Sequence, residues 1–191
     1  MNKFFKTYSG ILSILIIFAT ILVCFVLYGP FDINLDTMSD FAISDSTFFI
    51  FNIGLIIGIL LNVIFVFNLK TKKPAIKYLL YLGLIGLNGI LIFPTQFRPI
   101  EWTTDRIIHW LFTFMYFIAY SLGILIYSLE IKNKVIRNVA LAISSINIAL
   151  TVLFLLLQNK ALTEFSSIIL IGTWVVLISL VNRKLILKEN K

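Results

Sequence analysis

Residues 8–28 read YSGILSILIIFATILVCFVLY, twenty-one positions without one charged side chain. A run of this length crosses a hydrocarbon core of roughly 30 Å as a helix. It is longer than the apolar segment of a secretory leader, and no small-x-small cleavage site follows it, although MNKFFK before it has a leader's basic start. The reading is a retained membrane helix. The remainder of the chain agrees. It is 60% hydrophobic and 13% charged, with a mean hydropathy of +1.01. Soluble domains carry charge at roughly a quarter of their positions.

Five further apolar runs recur. Spans are expected at 8–28, 47–69, 75–93, 107–129, 135–157 and 163–181. Asp45 or Ser46 suits the N-cap of the second. Pro74 suits the first turn of the third, and Pro94 its end. The expected fold is therefore all-α: one polytopic membrane domain over 1–191 with six transmembrane helices and a structured first extracellular loop.

Charge orients the bundle. Thirteen of the sixteen Lys and Arg residues fall at the N-terminus, in the second and fourth loops and in the tail. Only Arg98, Arg106 and Lys160 fall on the other side. Basic residues stay with the cytosol, so both termini are expected there, in the cell membrane. Clusters between apolar runs are a topology signal, so the net charge of +7 does not point to nucleic acid. Tyr28, Phe31, Trp102 and Trp110 are expected near the outer interface, and Tyr8, Tyr78 and Tyr127 near the inner one. Trp174 lies mid-span and is expected to pack inside.

Seven of the nine acids then lie outside, four of them in GPFDINLDTMSDFAISDS, residues 29–46. An ionised carboxylate at the bilayer centre costs about 2.5–3.5 kcal/mol on insertion scales, so this loop marks the water side. Its acids alternate with Phe31, Ile33, Leu35, Met38, Phe41 and Ile43. Leu35, Met38 and Phe41 or Ala42 share helical spacing, which predicts a short interfacial helix or a folded cap. Asp32, Asn34 and Asp36 match the first oxygen positions of a calcium loop. The glycine and closing glutamate of such a loop are replaced by Thr37 and Ile43, so a solvated acidic face is the stronger reading. No cofactor is expected. The single cysteine, Cys24, has no intrachain partner and reads as a small packed residue.

Small residues recur at packing intervals: Gly54 and Gly58, then Gly83, Gly86 and Gly89, then Ala119 and Gly123. They let helices approach closely within a monomer, or in a homodimer. Asn62, Asn88, Ser121, Ser144, Ser145, Asn147 and Thr173 are deep and neutral, suited to hydrogen bonds between helices. Asp105 and the only histidine, His109, stand four apart at the start of the fourth span. Asp105 can orient the ring or share a cation with it, or the ring can bond a neighbouring loop.

Two stretches carry a family resemblance. Asp36-Thr-Met-Ser39-Asp40-Phe41-Ala42 precedes Phe51-Asn52-x-Gly54-Leu55, and Gly89-Ile-Leu-Ile-Phe93-Pro94 precedes His109. Together they resemble the prokaryotic six-span membrane family catalogued as domain of unknown function 998. More distantly they are similar to the eukaryotic damage-regulated autophagy modulator group, which is linked to lipid handling. Phe41-Ala42 stands where that family commonly has a Leu-Gly type pair. The resemblance implies that Ser39, Asn52, Phe93, Pro94 and His109 meet near the outer face. With Asp40 they would line a polar pocket that binds membrane lipid or a partner.

Two alternatives come from other classes. One is an interfacial hydrolase or transferase using His109 with Asp40, Asp105 and Ser39. The other is a transporter of a neutral solute through the deep Asn and Ser residues. No phosphate-binding loop, H-E-x-x-H or G-x-S-x-G motif is present to favour an enzyme.

Overall fold

A computed structural model describes residues 3–32, 36–94, 103–156 and 160–188. Six helices account for nearly all of them: α1 (Lys3–Tyr28), α2 (Phe48–Asn68), α3 (Pro74–Ile92), α4 (Thr104–Glu130), α5 (Lys134–Leu156) and α6 (Lys160–Lys188). A short 3-10 helix, Met38–Ala42, lies between α1 and α2 and is called the cap below. No strand occurs among the described residues. Each of the six helices is long and apolar enough to cross a membrane. Helices suit that setting because every backbone N–H and C=O is bonded within its own segment. This is a multi-pass membrane protein.

The observed ends depart from the expected ones where chain leaves the apolar run but stays helical. α1 begins at Lys3 and α6 runs on to Lys188. Pro74 opens α3 as expected. The N-cap of α2 is Thr47 rather than Asp45 or Ser46. The turn before it is closed by Ser44, whose carbonyl accepts from Thr47 N at 3.0 Å and Phe48 N at 2.8 Å.

The helices form a ring. Each packs on its neighbours in sequence, and α6 closes the circle against α1. Glycines set the close seams. A side chain at Gly54 or Gly58 would strike Thr20 or Ile17 of α1. One at Gly83 or Gly86 would strike Tyr120 or the backbone at Tyr116 and Phe112 on α4. These motifs therefore face partners within the chain. Large apolar side chains such as Val26 and Phe49 line the outside, 81% and 71% exposed. In a bilayer that surface is solvated by acyl chains.

The ends of the ring differ in chemistry. At the lysine end, Glu130 Oε2 accepts from Thr71 Oγ1 at 2.8 Å and Lys72 N at 3.3 Å, tying the α2–α3 loop to the end of α4. Just inside, Trp174 is fully buried and donates from Nε1 to Ser128 Oγ at 2.9 Å. Ser128 Oγ also lies 3.3 Å from Ser144 Oγ. Tyr127, expected at the inner interface, is buried edge-on to Trp174 at 5.6 Å. The aromatic ring there packs inside because α4, α5 and α6 converge on it.

Four of the seven deep polar residues bond across helices. Tyr120 donates to Asn62 Oδ1 at 2.9 Å, Asn147 Nδ2 lies 2.6 Å from Ser121 Oγ, and Ser144 meets Ser128. Asn88, Ser145 and Thr173 are exposed on the outside of the ring instead, and Thr173 bonds back to Ile169 O in its own helix.

Candidate functional site: a capped cavity

The acidic end is organised by the cap. All five of its residues are buried. Thr37 begins it, and Asp40 closes its first turn by accepting from Thr37 N at 2.6 Å and Thr37 Oγ1 at 3.1 Å. The Ser39 hydroxyl lies 2.8 Å from Thr37 Oγ1. Phe41 is the cap's anchor. Its ring is fully buried among Phe25, Tyr28, Phe31 and Phe51, with centroids 5.1–5.7 Å away. Such aromatic pairs add about 0.5–1.5 kcal/mol each beyond the area they bury. The alternation of acids with Phe31, Met38 and Phe41 is explained by this: the apolar members hold the segment down.

Three polar ties fix the cap to the ring. Thr47 Oγ1 donates to Phe41 O at 2.8 Å. Asn52 Nδ2 reaches Ala42 O at 3.4 Å while also bonding Phe48 O at 2.7 Å. Met38 N donates to Glu164 Oε2 of α6 at 3.1 Å, across 126 positions of sequence.

Beneath the cap lies a cavity of about 60 Å³, walled by α1, α2, α3, α4 and α6. A single water needs roughly 10–15 Å³ on this measure, so the space would take several. Its walls are mainly apolar, among them Ile17, Leu55, Leu87, Phe117 and Ile168. The polar contributors are Ser39, Asn62, Tyr116, Tyr120 and Glu164. Asn62 and Tyr120 are bonded to each other. From Phe51 at one end to Asn62 at the other is eleven residues of α2, about 16 Å at 1.5 Å per residue.

The residues read from sequence are distributed as follows. Ser39 lines the cavity. Asp40 and His109 are both buried, and near enough for the carboxylate to act on the ring electrostatically. His109 Nδ1 bonds Phe93 O at 2.8 Å, so the imidazole is committed to the end of α3. Phe93 stacks on Phe112 at 5.8 Å, and Pro94 follows it. Asn52 holds the cap and its own helix. Asp105 is exposed, and His109 bonds the neighbouring α3 end in its place. At the calcium-like stretch, Asp36 Oδ2 accepts from Asp32 N at 2.7 Å, and Asn34 lies outside the described residues, as does Trp102.

Sequence reading did not single out Glu164, Tyr116 or Arg106. Glu164 is the second residue of the expected sixth span and was counted with the solvated acids. The available signal was an acid inside an apolar run. Arg106 was counted as an outer loop charge, yet it is buried beside His109 on α4.

No curated protein and no solved structure matches this chain. A family model described as protein of unknown function (DUF998) matches residues 11–181, from the first turns of α1 to the last buried turns of α6. The match takes in most of α1 and α6, all of α2 to α5 and the cap, and the chain belongs to that family.

Proposed function

We propose that this protein resides in the cell membrane and binds a lipid at its capped outer end. In this reading its lysine end faces the cytosol and its acidic end faces out, which the distribution of basic residues supports. The observation that carries the reading is the apolar cavity itself. At about 60 Å³ it is smaller than the roughly 150 Å³ void that takes up one benzene, so it would admit the leading carbons of a chain rather than the whole of it, and in a bilayer the apolar molecules at hand are lipid chains.

Binding is preferred to catalysis for a geometric reason. A hydrolase would need His109 within hydrogen-bond reach of a nucleophile. Here its Nδ1 bonds Phe93 O, Ser39 Oγ bonds Thr37, and His109 is not part of the cavity wall. Transport through the deep polar residues is disfavoured in the same way, because Asn62 is paired with Tyr120 and Asn147 with Ser121.

The test is to fill the cavity. Leu84 is buried and on its wall. The wild-type protein, purified in mild detergent, should carry lipid detectable by native mass spectrometry, and Leu84→Phe should carry at least about ten-fold less. Equal retention by the two proteins would remove the reading.

A further inference from the structure

Asn88 turns an amide outward that nothing in the chain satisfies. It is exposed on the outside of α3, and among the described residues its side chain has no hydrogen-bond partner. α3 has 19 residues, about 28 Å at 1.5 Å per residue, so a hydrocarbon core of roughly 30 Å covers it from end to end. Asn88 stands four residues inside its outer end, about 6 Å deep. Acyl chains offer neither donor nor acceptor at that depth, and the side chain is too short to reach the interface as a lysine does.

Other polar side chains in the spans solve this problem locally. Asn68 bonds Ile64 O at 2.7 Å and Thr173 bonds Ile169 O at 2.8 Å, each one turn back in its own helix. Asn88 makes no such bond, and it sits in a seam. Tyr78, Tyr81, Ile85, Asn88 and Ile92 follow one another at intervals of three, four, three and four. That is the spacing by which one helix packs along another at a shallow angle. Tyr78, Ile85 and Ile92 are exposed and Tyr81 is half-buried. The glycines of α3 are on the other side, against Tyr120, Tyr116 and Phe112 of α4.

We infer that this seam is the interface of a homodimer, in which α3 packs on α3 of a second copy and the two Asn88 amides bond each other across a twofold axis normal to the membrane. Symmetry selects a second copy as the occupant. All copies insert in one orientation, so two α3 helices meeting about such an axis run parallel and carry Asn88 at the same depth. An amide has both a donor and an acceptor, so the pair is self-complementary: each N–H donates to the other's carbonyl. A single polar residue in an otherwise apolar seam also fixes the register, because a slip of one turn leaves both amides unpaired. The interface lies outside the ring and does not depend on what the cavity holds.

The experiment uses the full-length protein, labelled at the C-terminal tail with donor or acceptor dyes and reconstituted together in phosphatidylcholine vesicles. Energy transfer is followed as the protein is diluted with lipid. The wild type should show a monomer–dimer equilibrium, and Asn88→Leu should weaken association about 3- to 30-fold. Asn88→Gln keeps the amide and should retain most of the association. Thr173→Val alters a side chain that also faces outward but is already bonded, and should leave association unchanged. Because Asn88 makes no bond within the described chain, Asn88→Leu should keep the melting midpoint, which separates lost association from a damaged fold. As a second readout, Ile92→Cys lies one turn from Asn88 on the seam and should form a disulfide between copies under mild oxidation, whereas the buried Cys24 should not. A wild type that is monomeric at every dilution overturns the inference, whether lipid or another protein then covers the amide. So does a dimer that Asn88→Leu leaves intact, or one in which Ile92→Cys fails to cross-link.

Discussion

Trp174 and Glu164 sit on the same helix, ten residues or about 15 Å apart, in opposite kinds of surroundings. Around Trp174 the ring is filled. The indole meets Tyr127 and Ser128, Ser128 meets Ser144, and each of the two serines also bonds a carbonyl one turn back in its own helix, at 2.6 and 2.7 Å. Around Glu164 the ring is hollow and roofed by a five-residue cap. The same apolar composition thus gives a packed half and an open half. What separates them is the placement of large side chains: an indole points into the ring at one level, and at the other the helices are held apart with no comparable filler.

The contrast can be broken most severely from the packed side. Trp174→Ala should cost about 3–5 kcal/mol, since a large buried side chain leaves a void where none existed. Thermal unfolding in detergent would check this, and a loss below about 1 kcal/mol would mean the packed half is not packed. Next comes Gly86→Ala. The added methyl meets the backbone of α4 at Phe112 and Tyr116, which cannot rotate away. A loss of about 1–3 kcal/mol is expected, read in the same melt; an unchanged midpoint would show the α3–α4 seam to be looser than described.

The open side should respond less. Thr47→Val keeps the shape but removes the bond to Phe41 O, a cost of about 1 kcal/mol. Its signature is local: faster hydrogen exchange over residues 38–42 with exchange in α4 and α5 unaltered. Acceleration spread evenly through the protein would show that the cap is not a separate unit. The smallest effect belongs to Leu84→Phe, where the added atoms enter existing space. Its stability should change by less than about 1 kcal/mol, even where, on the proposed function, it lowers lipid retention. A loss as large as that at Gly86 would mean the cavity is not there to be filled.

Much of the architecture was legible beforehand, for physical reasons that favour the packed half. Apolar run length gives the spans because the bilayer sets it. Glycine spacing gives the seams, and Trp174 in mid-span had to go inward. The cap was also readable, because Met38 and Phe41 repeat at helical spacing among acids that mark water. The cavity was not. A void is a property of what five helices fail to fill jointly, and no single segment encodes it. Glu164 was misjudged for a related reason. Position near a helix start places a residue at the interface but does not say which way it turns, and here it turns toward Met38. His109 shows the same limit. Spacing put Asp105 on its side of α4, whereas the contact it makes is with the carbonyl that ends α3.

The circle is completed where α6 meets α1. Of the six helices α6 is made after the other five, so until it arrives the hollow half lacks a wall and lies open sideways to the bilayer. On the proposed function, a ligand could be enclosed as α6 docks, and a variant truncated after α5 would keep most of the fold but lose the wall that carries Glu164 and Ile168.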